Sequence, residues 1–422
     1  MKATIYPSVC KKEVTIPPSK SMSHRAIICA CLAKGKSVVS NIAYSDDTKA
    51  TIEGMRQLGA NITEHKSHLE IEGTSDFSRL NHATINCKES GSTLRFFIPI
   101  FSFCNQEVTF LGENRLLKRP QAIYETIFQK QGLTYEQTDS HIKINGSLQA
   151  GEYTLDGNVS SQFITGLLFA LPLLNGDSTI HIKPPFESRS YVDLTLQVLE
   201  DFGVKVMFLD DNTIFIQGNQ TYQPCNYTVE GDFSQFAFFA VLGAINNDIR
   251  CLGMKHNSLQ GDKVILSILK QCGIQVDEIE NGYLIHKGKL HGTEIDLSNC
   301  PDLGPILTIL AMYAKGTTKI YNAGRLRLKE SDRIEAMETE LKKIGVPITT
   351  TEDTIQITGD ASYHCTQQLF AHKDHRIAMS LAVAIACSNQ IATIDGVECV
   401  NKSYPAFFED LQKVGVKVDI LN

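Results

Sequence analysis

Six times along this sequence a short polar loop runs into an apolar stretch of helical length, which gives way to a Gly or Asn and then to a strand-like segment. The runs start at Lys20-Ser21-Met22-Ser23-His24-Arg25, Ser90-Gly91-Ser92-Thr93-Leu94-Arg95, Ser160-Ser161-Gln162-Phe163, Asp232-Phe233-Ser234-Gln235, Pro301-Asp302-Leu303-Gly304 and Lys373-Asp374-His375-Arg376. With Lys20, Ser90, Ser160, Asp232, Asp302 and Asp374 taken as equivalent, the steps are 70, 70, 72, 70 and 72 residues. A period that constant means one supersecondary unit used six times, and a chain of 422 residues is too long for a single core. Two domains of three units each follow.

Each unit reads as strand, helix, strand, helix and two strands, an α/β pattern. The first helices, such as 26–33, are apolar on nearly every side and so belong in interiors. The second helices, at 46–58, 121–131, 191–202, 262–272, 331–344 and 404–414, are amphipathic and more exposed. In the fifth, Ser331 is placed to cap the start, and Gly345 with Pro347 marks the stop. The first strand, 3–6, precedes the first loop, and Val229-Glu230-Gly231-Asp232 opens the fourth unit. The expected division is therefore residues 1–19 with 231–422 as one domain and 20–230 as the other. No Ser/Gly-rich or Pro-rich linker separates them, which implies short, hinged connections.

Helices that all start at equivalent loops offer unpaired N–H groups and the positive ends of their dipoles to anions. These loops carry Lys20, Arg25, Arg95, Lys373 and Arg376. The second set of loops adds Arg115, Lys118, Arg119, Arg189, Arg327, Lys329, Arg333 and Lys402. A single cation ahead of a helix is more often a solvated surface residue. Their joint placement in a chain of net charge −7 is what points to a polyanionic small molecule. Arg suits bidentate contact with carboxylate and phosphate.

The overall acidity argues against nucleic acid and against an anionic membrane surface. The longest apolar runs, 163–174 and 236–245, fall short of a membrane span. Twelve cysteines without CxxC pairs or regular spacing indicate a reducing, cytoplasmic setting. His364, His372 and His375 match no firm metal motif. No P-loop, dinucleotide fingerprint or nucleophile elbow is present.

Lys20-Ser21, Gly91-Ser92-Thr93-Leu94-Arg95, Arg119-Pro120, Ser160-Ser161-Gln162, Pro301-Asp302, Lys329-Glu330-Ser331-Asp332-Arg333 and Asp374-His375-Arg376 occur in this order over essentially the whole chain. In these motifs the chain resembles the 5-enolpyruvylshikimate-3-phosphate (EPSP) synthase family of enolpyruvyl transferases. The resemblance implies two inside-out α/β barrels, each of three βαβαββ repeats with helices inside. It implies a transferase of the shikimate pathway, on the route through chorismate to aromatic amino acids. Such an enzyme moves the enolpyruvyl group of phosphoenolpyruvate to the 5-hydroxyl of shikimate 3-phosphate, as a cytoplasmic monomer without cofactor or metal.

By motif position, Lys20, Ser21, Arg25, Ser160, Ser161, Gln162, Ser188, Tyr191, Asp302 and Lys329 are expected to contact shikimate 3-phosphate. Lys20, Gly91, Arg119, Gln162, Arg333, Arg376 and Lys402 are expected to contact phosphoenolpyruvate. Asp302, Glu330 and Lys20 are the expected catalytic groups. Arg325 departs from the family pattern, where many members have Asn, and Asn114 and Lys118 depart in the Arg119 loop. The sister transferase acting on UDP-N-acetylglucosamine typically carries a loop cysteine near the Arg119 position, and no Cys lies between Cys104 and Cys225. An inactive anion-binding paralogue would not need both Asp302 and Glu330.

Overall fold

In the computed structural model, all residues are described except 12, 75, 78, 79, 81, 82, 105, 360–362, 365, 366 and 422. The chain packs as two compact units. One, the insert unit, is Ser19–Val229; the other, the terminal unit, joins Met1–Pro18 to Glu230–Asn422.

The insert unit contains helices α1 (Lys20–Leu32), α2 (Asp46–Gln57), α3 (Gly91–Phe101), α4 (Ala122–Lys130), α5 (Ser161–Ala170) and α6 (Arg189–Asp201). Three four-stranded sheets share one plan. In the second repeat, Thr84–Asn86 lies parallel to Val108–Leu111 with α3 as the crossover. Antiparallel strands His141–Asn145 and Thr134–Gln137 complete the sheet. A parallel pair needs such a crossover, whereas the antiparallel strands are joined by a short turn. The first repeat takes its parallel strand, Asn226–Thr228, from the far end of the unit, paired to Gly35–Ser40.

The terminal unit holds α7 (Phe233–Ile245), α8 (Ile265–Gln271), α9 (Gly304–Tyr313), α10 (Arg333–Lys343), α11 (His375–Cys387) and α12 (Phe407–Lys413), again with three four-stranded sheets. Both N-terminal strands are consumed here. Glu13–Thr15 supplies the parallel strand of the fourth repeat, beside Ile249–Leu252. Lys2–Ile5 fills the last strand of the sixth, antiparallel to Ala392–Asp395 and Val418–Leu421. The first strand of the sequence therefore completes the last repeat.

Strands such as Glu152–Asp156 alternate exposed and buried, one face out and one face in. The first helix of each repeat is the interior: in α7 every residue from Phe233 to Ala244 is buried. Edge-to-face ring contacts tie α1, α3 and α5 together, His24 to Phe96 at 6.4 Å and Phe96 to Phe169 at 5.4 Å. Helices α7, α9 and α11 likewise pack on one another. Each unit thus has its own core of aliphatic and aromatic side chains. No helix among the described residues is long and apolar enough to cross a membrane.

Two of the differences from the sequence reading concern how helices begin. Helix α1 begins at Lys20 rather than at 26, because its polar opening residues are themselves helical, with Ser19 as the cap. Helix α10 is capped by Asp332, which accepts from the Glu335 amide at 3.0 Å, and not by Ser331. Ser331 lies one residue outside the cap position, and its hydroxyl donates instead to Asp374 Oδ2 at 3.0 Å.

Candidate active site

In the terminal unit, three loops bring cations and carboxylates together where α9, α10 and α11 begin. Arg333, on the first turn of α10, is almost fully buried and is the hub. Its Nε donates to Asp374 Oδ2 at 2.8 Å, its Nη2 to Glu330 Oε2 at 2.7 Å and its Nη1 to Asp302 Oδ1 at 3.3 Å. Asp302 lies in the single 3₁₀ turn Pro301–Leu303 that leads into α9. Its Oδ1 also accepts from Lys329 Nζ at 3.3 Å, and its Oδ2 accepts from Arg376 Nη2 at 2.9 Å. Arg376, on α11, further donates to the Asp302 carbonyl at 3.1 Å and to Ser234 Oγ at 3.1 Å. Asp374 caps α11 by accepting from the Arg376 amide at 2.9 Å, so one buried carboxylate holds a helix end and a guanidinium at once.

The electrostatics follow from this arrangement. Burial opposes the ionisation of Asp302, but Arg376, Lys329 and Arg333 outweigh it and hold the carboxyl well below its ordinary range. Asp374 is lowered likewise, burial being outweighed chiefly by Arg333. Burial would lower the Arg333 pKa, yet Asp374, Glu330 and Asp302 together raise it. Lys329 is lowered, by burial first; Asp302 counters this, and Arg333 and Arg325 add to it. Asp302 and Asp374 are thus held as carboxylates among the cations, and the Glu330 and Asp302 side chains stay partly open to solvent, at 16% and 23% exposure.

The loop before α11 is braced from behind. The fully buried carboxylate of Glu340 is hydrogen-bonded to His372 Nε2 (2.7 Å) and accepts from the Phe370 amide (3.1 Å) and Lys343 Nζ (2.8 Å). His372 and Lys373 both take left-handed backbone conformations, φ 50° and 57°, that only such anchoring sustains in non-glycine residues. Lys402 Nζ donates to the Lys373 carbonyl at 2.7 Å, on the same loop. Arg327 is not a solvated surface residue: it donates to Asp332 Oδ2 at 2.8 Å and to the Thr351 and Glu352 carbonyls, holding the loop to its neighbouring turn.

In the insert unit the expected residues fall into three groups. Lys20 pairs with Asp47 at 2.8 Å. Arg25 is buried and pushed down to about 10 by burial. It donates to Thr195 Oγ1 (2.9 Å) and to the carbonyls of Ser21 (2.8 Å) and Tyr191 (3.0 Å), which makes it a clamp between α1 and α6. The third group centres on Gln162, whose Oε1 accepts from Arg95 Nη1 at 2.7 Å and whose Nε2 donates to Ser92 Oγ at 3.0 Å. Ser160 caps α5, Ser161 opens it, and Ser188, left-handed at φ 55°, precedes α6. Gly91 opens α3 against Arg119: a Cβ there would stand 3.0 Å from Arg119 Nη1 and 3.5 Å from Gln162 Oε1.

Asp47, Ser92, Arg95, Thr195, Ser234 and Asp374 were not among the assigned site residues. Asp374 had a signal, since it occupies the repeat position of Asp302 and Asp232. Asp47 had none, because its partner lies 27 residues away.

The model of the EPSP synthase family (3-phosphoshikimate 1-carboxyvinyltransferase) matches residues 6–411. The chain belongs to the EPSP synthase family. A 3-phosphoshikimate 1-carboxyvinyltransferase of Clostridium perfringens is 47% identical over 417 residues, covering 98% of each chain. One of Clostridium kluyveri is 44% identical over 418 residues, covering 99% of this chain and 98% of its own. Among solved structures, EPSP synthase from Acinetobacter baumannii superposes with a TM-score of 0.82 at 28% identity, covering 99% of this chain and all of that one. The enolpyruvyl transferase NikO from Streptomyces tendae shares the fold, with a TM-score of 0.80 at 17% identity, over 99% of this chain and 98% of its own.

Proposed function

We propose that this enzyme transfers the enolpyruvyl group of phosphoenolpyruvate to the 5-hydroxyl of shikimate 3-phosphate and releases phosphate. The observation that carries the chemistry is the cluster in which Arg333, Arg376 and Lys329 surround Asp302 while Arg333 also holds Glu330. Each substrate carries a phosphate and a carboxylate, and such anions compete with the protein's own carboxylates for these cations.

Transfer begins when a proton is added to the methylene carbon of phosphoenolpyruvate, leaving C2 electron-poor. The 5-hydroxyl oxygen then bonds to C2 and gives up its proton, forming a tetrahedral ketal. Cleavage of the C2–O bond to phosphate, with loss of a methyl proton, restores the double bond in the product. One group must therefore give and later take a proton at the same carbon, and a second must accept from the hydroxyl. We assign the first role to Glu330 and the second to Asp302, with Lys20 sharing in proton transfer. A cation that leaves Asp302 for a substrate anion removes part of what holds its pKa down and brings the carboxylate nearer the range of a working base.

Arg119, Gly91, Gln162, Arg333, Arg376, Lys402 and Lys20 take phosphoenolpyruvate. Ser21, Arg25, Ser160, Ser161, Gln162, Ser188, Tyr191, Asp302, Lys329 and Lys20 take shikimate 3-phosphate. The donors buried at helix starts then supply the charge that the developing phosphate needs. All described cysteines are unpaired, in keeping with a reducing cytoplasm, and we take the working unit to be a monomer. The test is a phosphate-release assay: turnover is expected only with both substrates present. Turnover with UDP-N-acetylglucosamine in place of shikimate 3-phosphate would overturn the assignment.

A further inference from the structure

Far in sequence from every residue given a catalytic or binding role, the hairpin of Asn61–Glu64 and His68–Gly73 carries an unused constellation. Its strands pair antiparallel with Glu64 opposite Leu69, and the turn closes through the His65 amide donating to the His68 carbonyl at 2.9 Å. Strand periodicity sorts the side chains: Leu69 and Ile71 are buried, so His68 and Glu70 share the outer face. His65, just past the first strand, folds over that face. Its ring stacks on that of His68, with centroids 4.4 Å apart and planes 13° apart. Both Nε2 atoms converge on one oxygen, Glu70 Oε1, from 3.5 Å and 3.8 Å.

We propose that His65, His68 and Glu70 form a binding site for a borderline divalent transition metal, zinc in particular. Two imidazoles and a carboxylate are the donor set such ions take, at about 2.0–2.2 Å; around a tetrahedral ion that places neighbouring donor atoms about 3.3–3.5 Å apart. All three ligand atoms already lie within 4.8 Å of one another. Each nitrogen's lone pair lies in its own ring plane, so taking a common ion requires the two near-parallel rings to unstack, a rotation open to these partly exposed side chains. The backbone is prepared as well, because Tyr44 Oη donates to the His65 carbonyl at 2.8 Å and reaches the His68 carbonyl at 3.3 Å, pinning both ends of the turn. The remaining coordination positions face solvent and take water. A bound ion here closes the hairpin rather than taking part in transfer.

Zinc is titrated calorimetrically into chelator-treated full-length protein at pH 8, with His65→Ala and Glu70→Gln in parallel. The wild type is expected to bind one equivalent at this site with an affinity at least tenfold above that of either variant. Cobalt, substituted for zinc, should give a spectrum without thiolate charge-transfer bands. Both variants should keep wild-type transfer activity and melting temperature in chelator, which shows that they fold. Absence of a zinc isotherm in the wild type, equal affinities in all three proteins, or a thiolate signature pointing to cysteine ligands would each overturn the proposal.

Discussion

Replacing Asp374 by Asn tests how the cation cluster is held. The carboxylate is fully buried and accepts from Arg333 Nε (2.8 Å), Arg333 Nη2 (3.3 Å), Ser331 Oγ (3.0 Å) and the Arg376 amide (2.9 Å). An Asn of the same shape can keep its oxygen toward the Arg376 amide and so preserve the cap of α11. Its NH₂ then faces the Arg333 guanidinium donor against donor, while the Ser331 hydroxyl can turn to accept from it. Removing one member of a buried ion pair costs about 3–5 kcal/mol. Arg333 retains Glu330 and Asp302, so the lower end, about 3 kcal/mol, applies. For a unit of 150–250 residues that is roughly 6–12 °C of melting temperature. With a separate core in each unit, calorimetry should show the loss in the terminal unit's transition. The KM for phosphoenolpyruvate should rise at the same time, since Arg333 loses one of the three carboxylates that hold its guanidinium. A melting temperature within about 2 °C of wild type would refute the reasoning, because it would mean that Asp374 is not the counter-charge on which Arg333 depends.

Gly91→Ala should raise the KM for phosphoenolpyruvate by roughly tenfold, since the added methyl meets the Arg119 guanidinium and the Gln162 amide. The melting temperature should hardly move, because the group in the way is the far end of a flexible side chain; an unchanged KM would remove Gly91 from the site. Acid should destabilise the terminal unit. Asp302 and Asp374 have folded pKa values below the unfolded value of about 3.9, so their stabilisation is present above that pH and is lost as pH falls through the folded values. Urea midpoints should be level from pH 5 to 7 and drop below pH 4, with a shallower drop in Asp374→Asn; equal acid sensitivity in the variant would count against the assignment.

The repeat was legible because each interior helix needs the same things: a polar cap, an all-round apolar surface and a terminating Gly or Asn. Those demands leave a periodic trace in one dimension. What lies in pairing did not leave one. Lys2–Ile5 reads as an opening strand, and nothing local to it tells that its partners are Ala392–Asp395 and Val418–Leu421. The opening turns of α1 look like loop because their side chains are polar. Their backbone is nevertheless helical, and the polar groups are spent on Asp47, Thr51 and Thr195. Ser331 illustrates the same limit, since a hydroxyl ahead of a helix reads as a cap until Asp332 is seen to hold the capping position. Motif order made Asp302, Glu330 and Arg333 visible as candidates. That they form one connected set of ion pairs, with Asp374 behind them, is a matter of distance, which sequence does not carry.

The central claim is that Glu330 moves the proton at the methylene carbon. Its most direct test is the reaction run in deuterated water with shikimate 3-phosphate present, followed by recovery of unreacted phosphoenolpyruvate. Reversible protonation by the wild-type enzyme should wash deuterium into the methylene group. Glu330→Gln should abolish that exchange and lower kcat by roughly 10²–10⁴, with shikimate 3-phosphate binding retained. Undiminished deuterium incorporation in Glu330→Gln would show that another group carries the proton.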